Sequence, residues 1–182
     1  LCISCGLCED ACPVNIKIPE MIMRVKEADV NRHGSLKPHR FISRIDTLSR
    51  LASLSAPVSN YFLRNSSFRY LLEKIYGLDR RRPFPSYTRK SFLKQFKGYR
   101  SSGSRKAAYF VDLYANYNDP DLARAVVRIL EKNDVGVTVP EQLHAGMPLL
   151  MYGNFKSAEK LMRFNVEKLM GVVREGCDIV AS

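Results

Sequence analysis

The sequence predicts an α+β chain: an α-helical domain headed by four clustered cysteines, followed by an α/β domain with a mostly parallel sheet. Three observations carry that reading. Cys2, Cys5, Cys8 and Cys12 crowd into the first twelve residues. Residues 15–76 repeat apolar side chains at helical spacing, with an interruption at Pro57. After Lys106, short runs of strand formers alternate with amphipathic helical stretches, as parallel strands joined by crossover helices require. The chain has 182 residues, 46% hydrophobic and 26% charged, which suits one medium domain plus a small one. The boundaries read as a helical domain over 1–78, a basic connector over 79–105 and an α/β domain over 106–182.

The cysteines and Pro13 spell C-x2-C-x2-C-x3-C-P, a run that holds a [4Fe–4S] cluster in bacterial ferredoxins. Soft thiolates at this density suit an Fe–S core. Gly6 relaxes the backbone between two ligands and Pro13 ends the turn. Structural zinc is the competing reading, but zinc knuckles come in separated pairs, and the remaining Cys177, His33, His39 and His144 make no second knuckle. Cys2, Cys5, Cys8 and Cys12 are therefore the expected cluster ligands, and the helical domain is expected to be ferredoxin-like. In two-cluster ferredoxins the fourth Cys of such a run serves the other cluster. Two arrangements stay open: Cys12 closes a single cubane, or it reaches towards a second cluster. The start at Leu1, inside the motif, favours a fragment whose intact form carries two clusters. Metal-ligand cysteines indicate a reducing compartment, hence the cytoplasm.

The helical elements follow in order. Pro19 and Glu20 open a helix, and Ile22, Val25 and Ala28 are its expected cluster-facing row. Residues 31–38, with Gly34 and Pro38, read as a turn. Phe41, Ile45, Leu48, Leu51 and Ala52 give a second apolar row. Beyond Pro57, a stretch over 61–75 carries Phe62, Leu63, Tyr70, Leu71 and Ile75, with Gly77 as its C-cap.

Charge is uneven. From Arg24 to Lys106 there are 20 Lys/Arg against 5 Asp/Glu, a net +15; the remainder nets −4 within a total of +11. The basic middle suits an acidic partner protein, an anionic membrane surface or nucleic acid. Arg and aromatic residues on the helices fit a membrane-surface role, although no run of about eighteen apolar residues exists to span a bilayer. In the connector, basic residues mix with Phe84, Tyr87, Phe92 and Phe96, a makeup able to stack bases. Ser101-Ser102-Gly103-Ser104 reads as a flexible boundary.

In the last part, residues 107–113 and 135–139 read as strands. Between them lies a helix over 121–133, with Leu122, Ala125, Val126, Ile129 and Leu130 on its apolar face. Residues 146–148 are a loop signal. Residues 155–175 form a long amphipathic helix, with Met162, Val166, Leu169 and Val173 as the expected core face. Gly176 ends it, and 177–181 starts a third strand, inside which the sequence stops.

Four stretches together resemble a known family: CISCGLCEDACP at 2–13, YFVDLYANYNDPDLARAVVRILEKN at 109–133, AGMPLLMYGN at 145–154 and NVEKLMGVVREGCDIVAS at 165–182. The chain resembles the related iron–sulfur subunits of anaerobic glycerol-3-phosphate dehydrogenase, glycolate oxidase and heterodisulfide reductase. That resemblance implies a ferredoxin-type domain followed by a cysteine-rich domain. Where the family has Cys-Cys-Gly, this chain has His144-Ala145-Gly146, so its second domain lacks the cysteine pair. His144 is then either a substitute ligand or a polar capping residue, and Cys177 a small buried hydrophobe. The implied function is an electron-transfer subunit of a flavin-linked dehydrogenase. FAD would reside in a flavoprotein partner or a fused domain, and electrons would pass towards quinone. The basic middle would face that partner or the cytoplasmic membrane surface. No acid–base constellation is visible, so no catalytic residue is expected. The alternative is a nucleic-acid-binding module with a structural metal cluster.

Overall fold

A computed structural model describes Cys2 and residues 5–182. The fold is α+β. In chain order its elements are α1 (Leu7–Asp10), α2 (Ile18–His33), α3 (Lys37–Ser43), α4 (Ile45–Leu54), α5 (Ala56–Arg64), α6 (Ser66–Tyr76), α7 (Phe92–Gln95), β1 (Arg105–Phe110), α8 (Leu113–Tyr117), α9 (Pro120–Lys132), β2 (Val135–Thr138), α10 (Met147–Met151), α11 (Phe155–Arg174) and β3 (Asp178–Ala181).

Local chemistry sets the boundaries. Proline stands in the first turn of α2, α3, α5, α9 and α10, where its missing N–H costs nothing. Pro57 thus begins α5 rather than only interrupting a longer helix. Asn65, Asp112, Asp119 and Asn154 cap α6, α8, α9 and α11 through side-chain oxygens. Gly77, in the left-handed region at φ 70°, ends α6 as expected. The residues read as a turn at 31–38 instead continue α2 to His33 and start α3 at Lys37.

The three strands make a parallel sheet in the order β2-β1-β3. Side chains alternate across β1. Tyr109 and the adjoining Val111 join Val137, Val139, α9 residues Ala123 and Val127, and Phe92 of α7 in one core cluster. Ala108 faces the opposite way, onto Val172 of α11 and Cys177. The helices therefore cover both faces of the sheet, as expected for parallel strands.

Three expectations need correction. The Ser/Gly run is not a flexible boundary. Ser101 N–H donates to the Val137 carbonyl at 2.8 Å, and Val137 N–H returns a bond to Ser101 Oγ at 2.9 Å, so the run covers the free edge of β2. A Cβ on Gly103 would sit 2.3 Å from Gly136 N, so the two segments meet closely there. Secondly, the aromatic residues around 92–99 are core rather than base-stacking surface. Phe92 is fully buried, stacked on Phe96 at 4.3 Å and edge-on to Tyr109 at 5.9 Å. Thirdly, the expected apolar faces turn inward only in part: Val126 and Leu130 of α9 and Leu169 of α11 pack against the core as expected, but other members of those rows do not. Val25 of α2, Leu122 and Ile129 of α9, and Met162, Val166 and Val173 of α11 are exposed, while Ala123, Val127, Ala158, Asn165 and Val172 are buried. Small residues approach the sheet closely, and the exposed members of the apolar rows point away.

Candidate metal centre

The cysteine segment is built around Gly6. Its left-handed backbone, φ 82°, turns the chain into α1, and its carbonyl accepts from Glu9 N–H at 2.8 Å and Asp10 N–H at 3.1 Å. A β-carbon would strain that conformation. Cys5 precedes the turn, Cys8 rides on α1 and Cys12 follows it. Cys5 and Cys8 are exposed; Cys2 and Cys12 are half-buried. Cys5, Cys8, Cys12 and Cys177 carry free thiols. Cys12 Sγ accepts the Ile16 N–H at 3.4 Å. Among the described residues, no three His, Cys, Asp or Glu side chains stand close enough to hold a metal ion. The soft donor set that a cluster needs is present by residue type on one short segment, but it is not drawn into a closed shell.

The surroundings of Cys2 come from three elements distant in sequence. Lys26 of α2 donates from Nζ to the Cys2 carbonyl and to the Met151 carbonyl, each at 3.0 Å. One ammonium thus ties the cysteine segment to α10 in the α/β part. Gly153 makes the approach possible: its φ is +77°, and a Cβ there would lie 2.6 Å from the Lys26 carbonyl oxygen. The His39 ring stacks on Tyr152 with centroids 4.4 Å apart. Burial, and then the Lys26 charge, hold the His39 pKa below its ordinary 6.5. A cavity of about 130 Å³ opens here, lined by Cys2, Lys26, His39, Met151 and Tyr152 among others. None of Lys26, His39, Tyr152 or Gly153 was marked as a site residue by the sequence. Lys26 and Met151 are 125 positions apart, and no local pattern pairs them.

His144 is half-buried at the carboxyl end of the sheet. Its Nδ1 accepts the Gly146 N–H at 3.2 Å, and its carbonyl accepts from Asn165 Nδ2 at 3.2 Å. The ring thus braces the turn that leads into α10, and burial lowers its pKa below 6.5. Cys177 is buried in the α11 face of the sheet, as a small hydrophobe. Among the described residues no helix is long and apolar enough to cross a membrane.

Comparison with known proteins agrees with the cysteine pattern. Residues 1–17 match the 4Fe-4S binding domain family. The chain is 27% identical over 175 residues to a subunit of anaerobic glycerol-3-phosphate dehydrogenase from Escherichia coli K12, covering 93% of this chain and 44% of that protein. The same subunit from Escherichia coli O157:H7 gives the same figures. Over 147 residues the chain is 24% identical to D-2-hydroxyglutarate dehydrogenase of Escherichia coli K12, covering 72% of this chain and 14% of that protein. The chain thus spans less than half the length of these curated relatives. No solved structure matches it. The resemblance drawn from the motifs is thus borne out for a 4Fe-4S domain and for the subunit of anaerobic glycerol-3-phosphate dehydrogenase.

Proposed function

We propose that this chain is the iron–sulfur electron-transfer part of a flavin-linked dehydrogenase, with Cys2, Cys5, Cys8 and Cys12 as cluster ligands. The observation that carries the reading is the four-cysteine segment, lying inside the 4Fe-4S domain match and already bent around Gly6. A bound [4Fe–4S] group supplies one-electron chemistry. The chain supplies the thiolates and the Ile16 amide that donates to Cys12 Sγ. It also places a positive charge close by, on Lys26. Amide donors and nearby positive charge both favour the more negative, reduced state of such a centre. The Lys26 bridge and the His39–Tyr152 stack put the cysteine segment against the α/β part, so the route onward runs beside α10.

Substrate oxidation then belongs to a flavoprotein partner or fused domain, with FAD there, and electrons leave towards quinone. The named dehydrogenase relatives support a dehydrogenase partner. Leu51, Leu54, Val58, Tyr61, Phe62, Leu71 and Ile75 are all exposed on α4–α6, among Arg50, Arg64 and Arg69. An apolar row of that extent on basic helices supports docking on the partner, or peripheral contact with the anionic cytoplasmic face of a membrane. Burial of Phe92 and Phe96 in the core argues against single-stranded nucleic acid at the connector.

The test is iron, acid-labile sulfide and zinc per chain after anaerobic reconstitution, with electron paramagnetic resonance of the dithionite-reduced sample. About four iron and four sulfide per chain, lost in Cys5→Ser, supports a cubane closed within this chain. About eight of each in the full-length protein supports the two-cluster arrangement. Stoichiometric zinc that iron does not displace overturns the reading.

A further inference from the structure

We propose that a concavity at the start of α6 binds a phosphate group, carried either by a soluble compound or by a phospholipid head. Ser66, Ser67, Arg69, Tyr70, Arg80 and Arg81 line an open concavity of about 630 Å³. Among the described residues no carboxylate lines it. From 66 to 82 there are 5 Lys/Arg against 2 Asp/Glu, and both acids are already engaged. Asp79 takes Arg81 through Nε at 3.0 Å and Nη2 at 2.7 Å, and those bonds pull its pKa to about 2. Glu73 accepts the Arg80 backbone N–H at 3.3 Å and stands 3.5 Å from Arg80 Nε. The acids thus brace the arginines without filling the concavity.

Two further observations point to a ligand. The Nε of Arg69 is shut away from solvent with no hydrogen-bond partner among the described residues. A buried guanidinium donor without an acceptor is unfavourable, and Arg69 is among the residues that line the concavity, where its remaining guanidinium N–H groups are the ones offered to a ligand. The Tyr70 ring carries Arg80 at 5.4 Å, which holds that cation at this wall. The donor set selects the ligand class. The guanidinium N–H groups left over from the Asp79 and Glu73 pairs, with two hydroxyls, offer more donors than the two oxygens of a carboxylate can accept. A tetrahedral phosphate, with three or four acceptor oxygens, matches them.

Binding is read on the full-length, cluster-loaded protein by titration calorimetry with inorganic phosphate at fixed ionic strength. In parallel, co-sedimentation is measured with phosphatidylcholine vesicles, with and without phosphatidylglycerol. The variants are Arg69→Gln, the exposed pair Arg80→Gln with Arg81→Gln, and a charge-matched control, Arg163→Gln with Arg174→Gln on α11. The arginine-pair variant keeps the proposal testable if Arg69→Gln fails to fold. Saturable phosphate binding that the concavity variants weaken about tenfold or more, and the control less than about twofold, supports a soluble phosphate ligand. The same pattern seen with phosphatidylglycerol vesicles alone supports a lipid head. Binding to neither probe overturns the proposal. So does equal weakening by the control, which would reduce the effect to net charge.

Discussion

Gly153 and His144 show how single residues hold the two parts of the molecule in place. Gly153 lets the α10 turn lie directly on the α2 backbone, where a methyl group has no room: 2.6 Å separates the would-be Cβ from the Lys26 carbonyl oxygen. Gly153→Ala combines overpacking with an unfavourable positive φ, and is expected to cost about 3 kcal/mol by urea unfolding. It should also free the Lys26 ammonium from the Met151 carbonyl. His144 acts through protons. Burial depresses its folded pKa below the ordinary 6.5, against a smaller opposing pull from Asp46. The unfolded chain, titrating at the ordinary value, binds more protons as pH falls below it. The stabilising contribution is therefore complete above about pH 6.5 and is lost on descent towards the depressed folded pKa. The urea midpoint is expected to fall between pH 7.5 and 5.5, and to fall less in His144→Gln. His39, shifted the same way, accounts for part of the remaining slope. An unchanged slope in the variant would show that His144 is not held neutral by the fold.

At the scale of elements, α11 makes the sharpest claim. Its buried face is Ala158, Asn165 and Val172, with Leu169 partly covered, and its most apolar row, Met162, Val166, Met170 and Val173, points outward. Val172→Ala is expected to cost about 2 kcal/mol, since it opens space beside Ala108 and Cys177. Val166→Ser should change stability by less than about 0.5 kcal/mol. The opposite ranking would mean that α11 is rotated on the sheet. This is also where sequence reading reached its limit. The strands, the β–α–β order, the parallel pairing, the Asp119-Pro120 helix start and the Gly77 cap were all legible, because each depends on local chemistry. Which face of α9 or α11 turns inward was legible only in part: Val126, Leu130 and Leu169 pack as the periodicity placed them, while Leu122, Ile129, Met162, Val166 and Val173 are exposed. Hydrophobic periodicity assigns the most apolar row to the core, whereas a helix lying close over Ala107 and Ala108 needs Ala, Asn and Val at the contact. The same limit holds at the candidate site. The four cysteines were legible from their spacing, but Lys26, His39, Tyr152 and Gly153 were not, since only tertiary packing brings them together.

Across the whole molecule, the helical half is poorly able to stand alone. From α2 to α6 the only buried apolar side chains among the described residues are Ala56 and Leu72; Ser49 and Ser53 are buried beside them. What orders this half is attachment to the α/β half, and residues 86–88 form the strap. On one side Asn60 grips Tyr87 twice, donating from Nδ2 to its carbonyl and accepting its N–H at Oδ1, both at 2.8 Å, while Ser53 Oγ donates to the Thr88 carbonyl. On the other side Thr88 N–H donates to the Tyr117 carbonyl at 2.8 Å, and Asn118 Nδ2 donates to the Ser86 carbonyl at 2.9 Å. Asn60→Ala removes both halves of one grip and leaves a partly buried N–H and C=O without partners, at a cost of about 2 kcal/mol. Because the strap joins two layers rather than filling a core, the loss should fall on cooperativity as well. The wild-type chain is expected to unfold in urea as a single transition. Asn60→Ala is expected to show an early loss of helical circular dichroism that separates from the later unfolding of the α/β part. A single transition merely shifted to lower urea would mean that the Lys26 bridge to Met151 suffices to hold the two halves together.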